Sequence, residues 1–239
     1  MAKQYSSTKY KIFAMIIVIF LLAVSFGFAS KEPPLSKMAF QSAQSPNWAL
    51  VLVNESNPLP EHFSVKTKEL PSQLAGSSGQ AIDERAYDAL CAMLEDASKK
   101  GLDLKVCSSY REISYQQNLF QKKVEEYQNS GLTKEDAFEK AKTIVALPGA
   151  SEHNLGLAVD ICAESYQVLD EGYASTEEAK WLKKNAAKYG FILRYPKEKE
   201  HITGIVFEPW HYRYVGKSHA ERIMKSGLVL EEYLDRYDQ

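Results

Sequence analysis

A single carboxylate interrupts an otherwise apolar stretch, Leu157-Ala158-Val159-Asp160-Ile161-Cys162-Ala163. The stretch has the length of a buried strand. A carboxylate on such a strand must be met by a cation or by several hydrogen-bond donors. Any fold of this chain is therefore obliged to bring charge to residue 160, and a metal ion would satisfy it. His153 lies seven residues earlier, with Gly156 between them to let the chain turn closely, so a loop imidazole and a strand carboxylate can converge on one point. Taken alone, the same two residues also fit an ordinary hydrogen-bonded pair.

A second polar cluster, Glu208-Pro209-Trp210-His211-Tyr212, sits in the aromatic and β-branched stretch from Ile205 to Val215, which predicts a strand. On a regular strand, residues 208 and 211 face opposite sides. Pro209 cannot donate to a ladder, and a bulge after Glu208 would turn both side chains into one cavity. The alternative is a surface Glu208 and an aromatic-packed His211. Together the two clusters suit a catalytic zinc, one per chain, held by His153, Asp160 and His211, with a fourth position open to water and Glu208 left free to take its proton. A structural zinc would recruit four ligands, and no usable cysteine pair completes such a set. Cys91, Cys107 and Cys162 read as small core residues; the rival reading is a Cys107–Cys162 disulfide, which a location outside the cytoplasm permits.

Ser108-Ser109-Tyr110-Arg111 closes an alternating strand (Leu102, Leu104, Val106) just ahead of a helix predicted from Ser114. A guanidinium there makes an anion site, suited to a carboxylate or to the oxyanion formed during attack. A surface salt bridge is the other reading of Arg111. Gln116, in the first helical turn, can add its amide to the same site. His62 and His219 stand among polar residues and are expected to be solvated, while His201 is a candidate donor at the edge of the cavity.

Helical periodicity and capping signals predict helices over 81–100, 114–127, 133–145, 175–189 and 218–225, with strands near 102–106, 157–163, 191–195 and 205–215. The pattern is α+β, a mostly antiparallel sheet flanked by helices in a single catalytic domain. That domain spans 47–239, behind a polar linker over 31–46 that contains Pro33 and Pro34. Residues 1–30 carry Lys3, Lys9 and Lys11 ahead of an apolar run from Ile12 to Ala29, which reads either as a cleaved signal peptide or as a retained membrane anchor. The expected location is extracytoplasmic, in the cell wall or tethered to the membrane through residues 12–29. Without those three lysines the chain has 26 basic against 31 acidic residues, which argues against a nucleic-acid-binding surface.

The motifs together resemble the VanY-like D-alanyl-D-alanine carboxypeptidases, zinc peptidases of the bacterial cell wall in the superfamily shared with the hedgehog signalling domain. The resemblance runs from Leu52-Val53-Asn54 and Asn57-Pro58-Leu59-Pro60 to the end of the chain. Its core is Ser109-Tyr110-Arg111, Tyr115-Gln116 with Leu119-Phe120, Pro148-Gly149, the Ser-x-His-x-x-Gly-x-Ala-x-Asp spelling from Ser151 to Asp160, and Glu208-Pro209-Trp210-His211. It implies a hedgehog/DD-peptidase-like fold and a zinc bound by His153, Asp160 and His211. It further implies Glu208 as general base and Arg111 steadying the scissile carbonyl or the terminal carboxylate, with Ser151, Gln116 and Tyr110 as substrate contacts. Ser109 stands where relatives commonly carry Gly.

The function so implied is removal of the C-terminal D-alanine from peptidoglycan stem peptides by a monomeric enzyme. An L,D-carboxypeptidase acting on tetrapeptide stems uses the same motif set and is the nearest alternative. A wall-binding module with a silent site belongs to another class; it would often lack the base or a ligand, and here each is present.

Overall fold

The computed structural model describes residues 47–60 and 62–237. The expected signal or anchor (1–30) and the linker (31–46) lie outside the described residues. No helix among the described residues is long and apolar enough to cross a membrane.

The scaffold is a four-stranded antiparallel sheet in the order β3-β4-β6-β5, built from β3 (Leu104–Ser108), β4 (Ala158–Ala163), β5 (Phe191–Leu193) and β6 (His211–Tyr214). A separate antiparallel pair joins β1 (Thr67–Glu69) to β2 (Ala81–Asp83). Strand β4 is central and buried along its whole length. Because side chains alternate, Val159 and Ile161 enter the main core while Asp160 faces the other way.

The core side of the sheet is covered by helix α1 (Glu84–Ser98), whose Ala86, Leu90, Met93, Leu94 and Ala97 form a fully buried stripe at helical spacing. Burying a side chain the size of Leu90 or Met93 stabilises the fold by roughly 1.5–3 kcal/mol. Helices α2 (Ile113–Asn129) and α3 (Lys134–Lys142) form a hairpin around Phe120, Val124, Ala137 and Ala141. After the one-turn helix α4 (Glu152–Leu155), α5 (Glu177–Asn185) and the short α6 (Glu200–Thr203) follow, and α7 (Lys217–Ser226) and α8 (Leu230–Tyr237) close the domain around Ile192, Val215 and Leu234.

Several boundaries differ from expectation for local reasons. The helix expected from Ala81 begins at Glu84, because residues 81–83 pair with β1 and the Asp83 carboxylate accepts from the Arg85 amide at 2.9 Å as N-cap. Helix α2 starts ahead of Ser114, which is therefore inside the helix and no cap. Thr133 does cap α3, and Thr176, not Ser175, caps α5. Of the strand expected over 205–215 only residues 211–214 pair; His211 N–H donates to the Glu208 carbonyl at 3.2 Å, so a turn through Pro209 replaces the expected bulge. Helix α8 had no counterpart among the sequence expectations. The three cysteines are free thiols, and Cys107 donates Sγ–H to the Asp160 carbonyl at 3.3 Å.

Candidate metal centre and active site

On the sheet face opposite α1, antiparallel pairing sets Asp160 directly across from His211. His153 reaches the same point from α4. Ser151 caps that helix, its hydroxyl accepting from the His153 amide at 3.3 Å, and Gly156 ends it at φ +78°, a left-handed conformation that favours glycine. Asn154 ties the turn down by donating to the Arg111 carbonyl at 2.7 Å and accepting from the Gly149 amide at 3.1 Å. One donor atom from each of His153, Asp160 and His211 falls within 4.8 Å of the others.

The ring nitrogens are assigned by their partners. A backbone carbonyl only accepts, so His153 Nδ1, 2.7 Å from the Ser109 oxygen, carries the proton and leaves Nε2 bare, 3.2 Å from Asp160 Oδ2. His211 turns Nδ1 toward the cavity, 3.1 Å from Asp160 Oδ1 and 3.5 Å from Glu208 Oε2, while Nε2 lies 3.4 Å from Glu152 Oε2.

Asp160 Oδ1 is buried and has no hydrogen-bond partner, its approach to His211 being too poorly aligned to count. An acceptor orphaned in this way, beside two imidazole nitrogens, fits a divalent cation with N, N, O ligands. The three residues thus fit a zinc ion on chemical grounds.

Burial opposes charge on Asp160, but His153, His211 and Arg111 outweigh it and hold the carboxyl well below the usual range. Burial and the nearby Arg111 lower His153 to about 4. Burial also opposes charge on His211, yet the carboxylates of Asp160 and Glu152 beside its two ring nitrogens raise it to about 9. Burial pushes the Glu208 carboxyl up to about 8, against the pull of His211. Such a carboxyl is poised to exchange a proton near neutrality.

These residues border a cavity of about 380 Å³. Arg111 holds its guanidinium at the rim, donating to Asp160 Oδ2 at 2.8 Å, to Ser108 Oγ at 2.7 and 2.9 Å and to Gln116 Oε1 at 3.3 Å. Gln116 is itself fixed, its amide donating to the Ala146 carbonyl at 2.8 Å. Ser151, Tyr195 and Trp210 complete the inner wall.

Tyr110 is not brought to the cavity; its hydroxyl donates outward to Glu112 at 3.0 Å. His201 is exposed on α6 and away from the lining, and His62 is exposed as expected. His219 departs from expectation: it is half-buried, 2.8 Å from the Tyr233 hydroxyl and packed on Tyr233 and Tyr237. A larger cleft of about 590 Å³, lined by residues such as Trp48, Phe63 and Arg85, gathers none of the donor atoms. Sequence reasoning left Glu152, Arg194, Arg213 and Glu231 without a role. The signal was there for two of them, since Arg194 and Arg213 each place a charge in a run rich in aromatic and β-branched residues, much as Asp160 does in its own run.

Three clustered donors beside a carboxyl able to exchange a proton are an arrangement suited to metal-assisted hydrolysis. Residues 79–217 match the family model VanY, D-alanyl-D-alanine carboxypeptidase. A D-alanyl-D-alanine carboxypeptidase of Enterococcus faecalis is 42% identical over 199 residues, covering 82% of this chain and 69% of that protein. Among solved structures, a mutant of the vancomycin-resistance D,D-pentapeptidase VanY from a VanB-type cassette, in complex with Zn(II), is 43% identical with a TM-score of 0.68, covering 78% of this chain and 99% of its own. The LD-carboxypeptidase LdcB is 39% identical with the same TM-score of 0.68, covering 78% of this chain and 86% of its own. The chain belongs to the VanY family of carboxypeptidases.

Proposed function

We propose that the chain is an exported, zinc-dependent D,D-carboxypeptidase that removes the terminal D-alanine from peptidoglycan stem peptides. The observation that carries this reading is the cluster of His153, Asp160 and His211 donor atoms within 4.8 Å, with the Asp160 oxygen orphaned and Glu208 beside it. The D,D-pentapeptidase with Zn(II) and the E. faecalis enzyme support the metal and the substrate. Export rests on the lysine-flanked apolar run of residues 1–30.

His153 Nε2, Asp160 and His211 Nδ1 would hold the zinc, which when bound supplies a Lewis acid for the scissile carbonyl and an acidified water. Glu208, 3.5 Å from His211 Nδ1 on the cavity wall, accepts the proton of the attacking water and returns it to the departing amine. Arg111, already fixed by Ser108 and Gln116, presents N–H groups to the oxygen on which negative charge builds. The substrate's free carboxylate requires donors of its own, and Ser151, at the N-terminus of α4 and on the cavity wall, is placed to give one.

The likeness to LdcB favours one second reading, cleavage between an L- and a D-residue in tetrapeptide stems. Specificity of this kind depends on the cavity walls and not on the ligands. Incubating the full chain with tri-, tetra- and pentapeptide stems and weighing the products separates the two. Loss of a single alanine from the pentapeptide, abolished by a chelator, is the expected result. Conversion of tetrapeptide alone would replace the D,D reading with the L,D one, and turnover indifferent to chelation would overturn the metal mechanism.

A further inference from the structure

Glu152, Arg194 and Arg213 are wholly buried, and Glu231 on α8 closes on them from the domain edge. Glu152 Oε1 accepts from Arg194 Nε at 2.7 Å and from Arg213 Nη1 at 2.8 Å. Arg194 then grips Glu231 with both terminal nitrogens, at 2.9 and 2.6 Å. Arg213 is pinned separately, donating from Nη2 to the carbonyls of Ala49 and Val51 at 2.9 and 2.8 Å. The group is neutral as a whole, and each guanidinium is matched by carboxylate or carbonyl oxygens.

Taking such charges out of water is costly, and apolar residues of the same volume commonly stabilise a core as well or better. Cohesion alone therefore does not account for the group. The remaining Glu152 oxygen does: Oε2 is 3.4 Å from His211 Nε2, the ring nitrogen that points away from the cavity. A carboxylate there accepts a hydrogen bond from Nε2–H, fixes the ring's orientation, and leaves Nδ1 as the atom presented to Asp160 and Glu208.

We infer that Glu152 is a positioning residue for the metal centre, and that Glu231 acts on the same imidazole at one remove by fixing Arg194. This rests on the reading of His211 as a metal ligand. Three of the supports come from outside the stretch that matches the family model: Glu231 follows it, and the Ala49 and Val51 carbonyls precede it. The centre is thus braced from both flanks of the matched segment.

The test uses the full chain in wild-type form and as Glu152→Gln and Glu231→Gln. Zinc affinity is measured by competition with a chromophoric chelator, the visible spectrum is recorded after loading with Co(II), and thermal stability is followed alongside. Glu152→Gln should weaken zinc by about 10–100-fold and shift the cobalt bands. Glu231→Gln, which leaves every direct contact of His211 in place, should weaken zinc by a smaller factor, about threefold or more, in the same direction. A purely structural role would lower the melting temperature of both variants and move neither the affinity nor the spectrum, and that result overturns the inference. Should Glu152→Gln fail to fold, Glu231→Gln decides: wild-type zinc affinity in that variant overturns it, and reduced affinity with a shifted cobalt spectrum supports it. A folded wild-type chain that binds no zinc would instead bring down the metal reading, and the inference with it.

Discussion

The backbone carbonyl of Ser109 accepts a hydrogen bond from His153 Nδ1–H at 2.7 Å, so the imidazole is oriented by a main-chain atom and owes nothing to the serine side chain. The Ser109 hydroxyl faces elsewhere, accepting from the Ala81 amide at 2.8 Å and donating to Gln80 Oε1 at 2.7 Å. The Ser109 side chain therefore bears on the join between β2 and β3. Ser109→Ala should cost about 1 kcal/mol of stability in thermal denaturation while zinc titration returns the wild-type affinity. A tenfold change in affinity would show that the side chain matters to the ligand after all.

Glu208 offers a second contrast. Its side chain sits 3.5 Å from His211 Nδ1 and is not one of the three clustered donors. Glu208→Gln should keep one equivalent of zinc by elemental analysis and lose about 10²–10⁴-fold in kcat. Loss of the metal along with activity would make Glu208 a ligand and not the base.

For Arg111 the decisive property is shape. Its fork serves Asp160, Ser108 and Gln116 at once, which a single ammonium cannot reproduce. Arg111→Lys should fold normally and lower kcat by about 10²-fold or more, as removal of an oxyanion donor does. Steady-state kinetics on a pentapeptide stem with wild-type kcat would remove the guanidinium from the reaction.

Metal capture should depend on pH in a definite direction. Without a cation His211 is raised to about 9, so near pH 7 it is protonated and must lose that proton to bind. Affinity should therefore rise between pH 6 and pH 9, by up to about tenfold per unit, and flatten above that range. Calorimetry in buffers of different ionisation enthalpy should register the released proton. Affinity independent of pH across this window would show that His211 is already neutral before the metal arrives.

Two glycines separate site geometry from general stability. Gly156, at φ +78°, lies between His153 and Asp160, and an added Cβ would meet Val65 Cγ1 at 3.1 Å. Gly190, at φ +91°, is remote from the ligands, and its added Cβ would meet Tyr214 Cε2 at 2.7 Å. Both Gly156→Ala and Gly190→Ala should lower stability by roughly 1–3 kcal/mol. Only Gly156→Ala should also weaken zinc binding; equal affinities for the two would show that the turn does not aim the imidazole.

The sequence announced the residues that violate local expectation and was silent on those that complete them. Asp160 was visible as a charge in an apolar strand, and the spacing to His153 through Gly156 made their meeting readable. The route by which Glu208 joins His211 was misjudged, because a proline after a glutamate fits a bulge and a turn equally well until the hydrogen bond from residue 211 to residue 208 is seen. Glu152 hid in plain view next to a ligand, since its partners Arg194, Arg213 and His211 lie 42 to 61 residues away along the chain. Pairings at that separation follow from the sheet order, which no local pattern encodes.

Because Asp160 and His211 are register partners on adjacent strands, a slip of one residue would send one of the two to the opposite face of the sheet. The three clustered donors come from α4, β4 and β6, so a cation held by all of them would report that these elements have docked correctly. A nascent or stretched polypeptide would leave the surrounding metal pool undisturbed, and occupancy would mark the molecules that have finished folding.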